Sequence, residues 1–164
     1  RQMCIRDRTI CGFDYKDCKH ISSDDYEALK RNGCQPLKDD VLLAKDGSYF
    51  KYAFVVNETI EQAILSSIAI LRPDTTQVLP VFLQYYLLTD RIFKMVKEEF
   101  ITGMGLKRVI LDDIKRIPVY IPDIKEQEAF CKYVEKTSTK RDELMKKIAM
   151  TKTNKQGAID QYFK

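Results

Sequence analysis

The chain has 164 residues, of which 45% are hydrophobic and 32% charged, with a net charge of +4, giving room for one domain plus an extended element. A mean hydropathy of -0.34, with no apolar run near the roughly 20 residues of a membrane span, argues against a transmembrane helix, and no segment reads as a secretory signal. A pI near 8.7 permits nucleic-acid binding without requiring it.

In chain order, Arg1 to Arg8 (RQMCIRDR) has no periodicity and joins poorly to the residues after it. It reads as a non-native or disordered leader of read-through or adapter origin, with the true N-terminus missing. Residues 10–21 suggest an irregular segment or an edge strand. Ser22-Ser23-Asp24-Asp25 reads as a helix start, Tyr26 and Leu29 share a face, and Asn32-Gly33 stops the helix. Next comes a strand–turn–strand pattern, from Val41-Leu42-Leu43-Ala44 through Asp46-Gly47 to Tyr52–Val56. Ser67 to Leu71 predicts a further strand, ended by Arg72-Pro73. Pro80 opens a helix whose buried face is Phe82, Leu83, Tyr86, Leu87 and then Ile92, Phe93 and Val96; Asp90 caps a second helix. Thr102-Gly103-Met104-Gly105 reads as a flexible loop, Lys107–Leu111 as a short strand, and Asp112-Asp113 as the cap of a brief helical turn. Ile117–Ile121, bracketed by Pro118 and Pro122, reads as a last strand.

From Pro122 to Lys164 the pattern is one long helix. Phe130, Val134, Thr137, Leu144, Ile148, Thr151, Ala158 and Tyr162 recur at steps of four and three, a heptad seam interrupted by Arg141 and Lys155. At about 1.5 Å per residue this helix reaches roughly 60 Å. A seam of that length needs another helix beside it, so the expected organisation is a domain at 9–122 and a spacer or dimerisation helix at 123–164. Asp123, Glu126 and Glu128 suit the N-terminal end of its dipole.

The five cysteines stand at 4, 11, 18, 34 and 131, with a single histidine, His20. Cys11, Cys18 and His20 match no structural zinc spacing, so no metal or cofactor is expected. Scattered reduced thiols suggest a cytoplasmic protein. The five prolines are isolated, which leaves no Pro-Pro-aromatic pocket for a flipped adenine. Gly103-Met104-Gly105-Leu106-Lys107 lacks the spacing of a phosphate loop. With one histidine and no plausible partner for it, a nucleophilic triad is unsupported, and no catalysis is expected of this chain.

Four strings carry a resemblance. They are Leu37-Lys38-Asp39-Asp40-Val41-Leu42-Leu43-Ala44-Lys45-Asp46-Gly47-Ser48; Ser67-Ile68-Ala69-Ile70-Leu71-Arg72-Pro73; Gly103 through Asp113-Ile114-Lys115 into Ile117-Pro118-Val119-Tyr120-Ile121-Pro122 and Glu126-Gln127; and Lys155-Gln156-Gly157-Ala158-Ile159-Asp160-Gln161-Tyr162-Phe163. In this order over residues 20–163 they resemble the specificity subunit of type I restriction–modification systems. The family's Gly-Ser-Ile-Gly continuation is here Gly47-Ser48-Tyr49-Phe50. The resemblance implies one target recognition domain, minus its N-terminal part, and one conserved spacer helix. The implied fold is α/β, a small mixed, mostly antiparallel sheet with flanking helices and a long protruding C-terminal coiled-coil helix. The implied partners are double-stranded DNA, a methyltransferase (modification) subunit, a restriction subunit, and a second recognition half or a second copy met through the helix. The implied function is sequence-specific DNA recognition that directs the complex to its site, with methyl transfer and cleavage supplied by the other subunits.

Base readout needs donors and acceptors on projecting loops, and cations for phosphates. Two stretches qualify: Lys45, Ser48, Tyr49, Lys51 and Tyr52 on the hairpin, and Thr102, Met104, Lys107 and Arg108 after the second helix. Two rival readings stand beside this one. One is a recognition module detached from a fused type II restriction–methylation enzyme. The other is a coiled-coil adaptor whose head binds protein.

Overall fold

The computed structural model describes residues 20–47, 49–59, 61–64, 66–101 and 108–162, the side chains of Gly157 and Ala158 excepted. The leader at 1–8, most of the segment at 10–21 and the loop at 102–105 lie outside the described residues. So do the thiols at 4, 11 and 18. The chain divides into two units, the first ending at Ile124 and the second beginning at Lys125.

Among the described residues, the first unit combines short helices with one small sheet. Helix α1 spans Ser23–Arg31; the Ser22 hydroxyl accepts the Asp25 N–H at 3.1 Å, and Gly33 takes a positive φ of 75° just beyond the C-cap Asn32. Its Tyr26 and Leu29 are only half-buried. Strands β1 (Val41–Ala44), β2 (Ala53–Val55) and β3 (Ile68–Leu71) form a sheet ordered β2-β1-β3. Both pairings are antiparallel, with Leu42 opposite Phe54 on one side and Ile70 on the other. The sheet among the described residues is therefore antiparallel throughout, not mixed. As the central strand, β1 is an apolar run buried on both faces, with Val41, Leu42 and Leu43 fully shielded.

A buried charge anchors this sheet. Asp40, 0% exposed, immediately precedes β1. Arg72, just beyond β3, grips it bidentately, Nε donating to Oδ1 at 2.7 Å and Nη2 to Oδ2 at 2.8 Å, while the Leu37 N–H donates to Oδ2 at 2.7 Å. The hydrogen bond to Asp40 raises the Arg72 guanidinium above its ordinary pKa, partial burial opposing it. Two outer strands are thus held to the central one by backbone ladders, and β3 additionally by a fork of charge-assisted bonds.

Helices α2 (Pro80–Leu87) and α3 (Asp90–Glu99) come next. Pro80 stands at the first turn of α2, as expected. Phe82, Leu83 and Leu87 of α2 and Ile92 and Val96 of α3 are buried, while Tyr86 and Phe93 are half-buried. Helix α2 packs on β2, and Gln84 Nε2 donates to the Ala53 carbonyl at 3.0 Å. The cap of α3 is Thr89 rather than Asp90: the Thr89 hydroxyl takes the Ile92 N–H, and Asp90 lies in the first turn, where its charge suits the dipole.

Among the described residues, two expected strands do not form. Of Lys107–Leu111, Arg108 makes a single antiparallel bridge to Asp46, while Leu111 begins the short helix α4 (Leu111–Lys115). Ile117–Ile121 has no ladder partner among the described residues. Pro118 has no N–H to offer a ladder, and a β-rich composition cannot replace a missing edge.

The second unit is one helix, α5, which begins at Ile124 and runs 39 residues to Tyr162. Its length is about 58 Å. The Thr137, Thr139, Thr151 and Thr153 hydroxyls donate to the carbonyls four residues back, which lets β-branched residues sit in mid-helix with their polar groups satisfied.

Candidate nucleic-acid interface

Residues 45–52 link β1 to β2. The Ala44 N–H donates to the Tyr52 carbonyl at 3.0 Å and the Phe50 N–H to the Ala44 carbonyl at 2.8 Å, closing the connection tightly. Gly47 supplies a positive φ of 65°, which its missing Cβ permits without strain. Phe50 also takes a positive φ, 53°, with its ring buried. For an aromatic residue this is an uncommon conformation, held by the packing around the ring.

Arg108, the one described member of the second candidate stretch, meets the hairpin at one edge. The backbones of Asp46 and Arg108 form an antiparallel bridge, and the Val109 N–H donates to the Lys45 carbonyl at 2.9 Å. Arg108 Nη2 lies 3.0 Å from Asp46 Oδ2, and Lys45 Nζ donates to Asp46 Oδ1 at 3.1 Å. Asp46 therefore stands between two cations. The Lys45 side chain is 9% exposed and that of Arg108 is 59% exposed.

These placements divide the candidate residues. Lys51 and Arg108 are exposed and Tyr52 is half-buried, so these three can meet a ligand. Lys45 and Tyr49 do not project, which corrects the expectation for both. The Lys45 ammonium is buried against Asp46 because its backbone is bonded on both sides, to Ser67 through its N–H and to Val109 through its carbonyl. The Tyr49 ring is buried and stacks on Phe93 of α3 at 5.5 Å between centroids and 7° between planes. Its role is to fasten the hairpin to α3. Ser48, Thr102, Met104 and Lys107 lie outside the described residues.

Reading by residue type missed Asp46, which looks like a turn residue, and the Asp40–Arg72 pair. The signal for the pair was present: a carboxylate set flush against three apolar residues must be partnered to be tolerated.

The residues expected to pair helices lie on α5. Leu144, Ile148, Thr151 and Lys155 border one continuous strip along the helix, the i, i+4, i+7, i+11 face that the heptad reading requires. Phe130, Thr137, Leu144, Ile148, Thr151 and Tyr162 are exposed and Val134 is half-buried. The side chain of Ala158 lies outside the described residues.

Elsewhere in the first unit, an apolar cleft of about 420 Å³ is lined from β3, α2, α4 and the segment after α4 by Leu71, Leu83, Leu87, Leu111, Ile114 and Ile117, among others. Among the described residues no cluster of three or more histidine, cysteine, aspartate or glutamate side chains could hold a metal ion. No described helix is long and apolar enough to cross a membrane. Comparison with known proteins assigns no family: no protein-family model matches the chain, and no curated protein does either.

Proposed function

We propose that this chain is one half of a DNA-specificity subunit of the type I restriction–modification kind: a target recognition domain followed by a spacer helix. On this reading it reads one part of a DNA site and directs a methyltransferase subunit and a restriction subunit to it. The chain itself catalyses neither methyl transfer nor cleavage. The observation that carries the reading is the edge where the β1–β2 hairpin and Arg108 are bridged together. The hairpin and Arg108, distant in the chain and each drawn from a stretch singled out for DNA contact, share one edge there. The half-exposed Leu144 and Ile148 on one face of α5 support the other half of the reading, since a spacer helix must pair.

The test is selection of duplexes from a random pool by the intact chain with the methyltransferase subunit. One recovered half-site motif is expected, together with adenine methylation at that motif only when both proteins are present. Recovery of no motif sinks the proposal, and labelled methyl groups on DNA from the chain alone refute its non-catalytic part. The adaptor reading draws on one specific observation, the apolar cleft beside α4, whose wall residue Leu111 is 52% exposed. It predicts a protein partner retained with no DNA motif at all.

A further inference from the structure

Asp46 is flanked by two cations of very different exposure. Lys45 is buried and Arg108 faces solvent, and each cation meets a different oxygen of the same carboxylate. The three side chains together carry one net positive charge, and the excess resides on the exposed guanidinium. A guanidinium has five N–H donors in a rigid plane, and the contact with Asp46 is made through Nη2. The backbone bridge between residues 46 and 108, with the Val109–Lys45 bond beside it, fixes the spacing of the two residues. The guanidinium is therefore tethered at its root and at its tip.

Resting on the function proposed above, we infer that Asp46 is a positioning residue that holds the Arg108 guanidinium plane to read a guanine edge. A phosphate contact requires only a cation within reach. Reading guanine requires the fork to lie in the plane of the base, because O6 and N7 lie there. A carboxylate anchoring one nitrogen of the fork meets that requirement, and a freely swinging arginine does not. Lys45 completes the device. Its buried ammonium offsets the Asp46 charge, so the anchor can stand near DNA without repelling the phosphates.

Asp46→Asn alone strands a buried ammonium and could unfold the edge, so the test uses the Lys45→Met background, which retains the Asp46–Arg108 contact. The intact chain, with the modification subunit, is measured against a duplex selected from a random pool and against its scrambled counterpart, at two salt concentrations. Adding Asp46→Asn is expected to reduce the selected-to-scrambled affinity ratio about tenfold, with scrambled affinity kept or raised because a negative charge is lost. Adding Asp46→Glu instead is expected to restore part of the ratio. An unchanged ratio overturns the inference, as does a parallel fall on both duplexes, the mark of a phosphate contact or a structural role. If the unsubstituted protein selects no duplex, the functional proposal falls and takes the inference with it. Selection without a change of ratio removes the inference alone.

Discussion

Truncating the α5 seam with Leu144→Ala and Ile148→Ala is expected to dissociate whatever helix-mediated assembly this chain forms. The two side chains are 50% and 49% exposed in the single chain, so pairing can still remove about half of each from water. Burying a whole Leu or Ile contributes about 1.5–3 kcal/mol, which puts the unburied half near 1 kcal/mol. Alanine forfeits most of that and leaves a cavity in the paired state. With both residues changed on both copies of a self-associated pair, the loss comes to about 3–4 kcal/mol, or between two and three decades in Kd. Alanine is the strongest helix former, so the helix itself should persist. Sedimentation equilibrium gives the Kd, and far-UV circular dichroism checks that helicity is unchanged. The reasoning fails if the unsubstituted chain is monomeric with α5 fully helical, or if the double variant associates within threefold of it.

Three further outcomes are expected of the first unit. Arg72→Ala strands the fully buried Asp40 carboxylate and should cost about 3 kcal/mol in urea denaturation, less than a wholly buried pair because Arg72 is itself 56% exposed; an unchanged midpoint would mean that Asp40 has another counter-charge. Tyr49→Phe should be nearly neutral, because the stack on Phe93 survives, whereas Tyr49→Ala should cost about 3 kcal/mol; equal stability of the two variants would contradict the packing role. The Asp74 carboxyl is held below its ordinary pKa by the Thr76 hydroxyl first, then by the Thr76 N–H and the Gln77 amide. Its contribution is therefore present above the unfolded-state pKa and lost as pH falls through the depressed one. The difference in melting temperature between the parent chain and Asp74→Asn should appear at neutral pH and vanish in acid; a difference constant across that range would refute the assignment.

Local signals located most of the elements. Ser22 and Asn32-Gly33 bound α1, Pro80 starts α2, and the Asp46-Gly47 turn signal between two apolar runs marks the hairpin, because each of these depends on neighbours within a few residues. The errors arose where distant chain decides. The cap of α3 is a local exception: Thr89 displaced Asp90 by a single position, its hydroxyl taking the Ile92 N–H. Ile117–Ile121 is β-rich, yet strand formation requires a partner edge, and none is supplied among the described residues. At the candidate interface, Lys51 and Arg108 were legible as exposed cations. Tyr49 and Lys45 were not legible as buried, because their shielding comes from Phe93 on α3, from Asp46 and from the segment at Val109. Periodicity carries no information about contacts across that much chain.

Phe50, with its left-handed backbone and shielded ring, has an evolutionary consequence. Most tight connections owe their shape to glycine, asparagine or proline at the turn itself, so mutation there alters geometry and exposed chemistry together. Here Gly47 makes the turn, but two aromatic rings also hold the connection from inside, Phe50 in the core and Tyr49 against Phe93. Outward-facing positions such as Lys51 are thereby released from structural duty. A lineage could exchange them repeatedly, acquiring new binding preferences without passing through unstable intermediates. Drift should accordingly be rapid at Lys51 and slow at Tyr49 and Phe50, so that adjacent positions on one short connection evolve at different tempos.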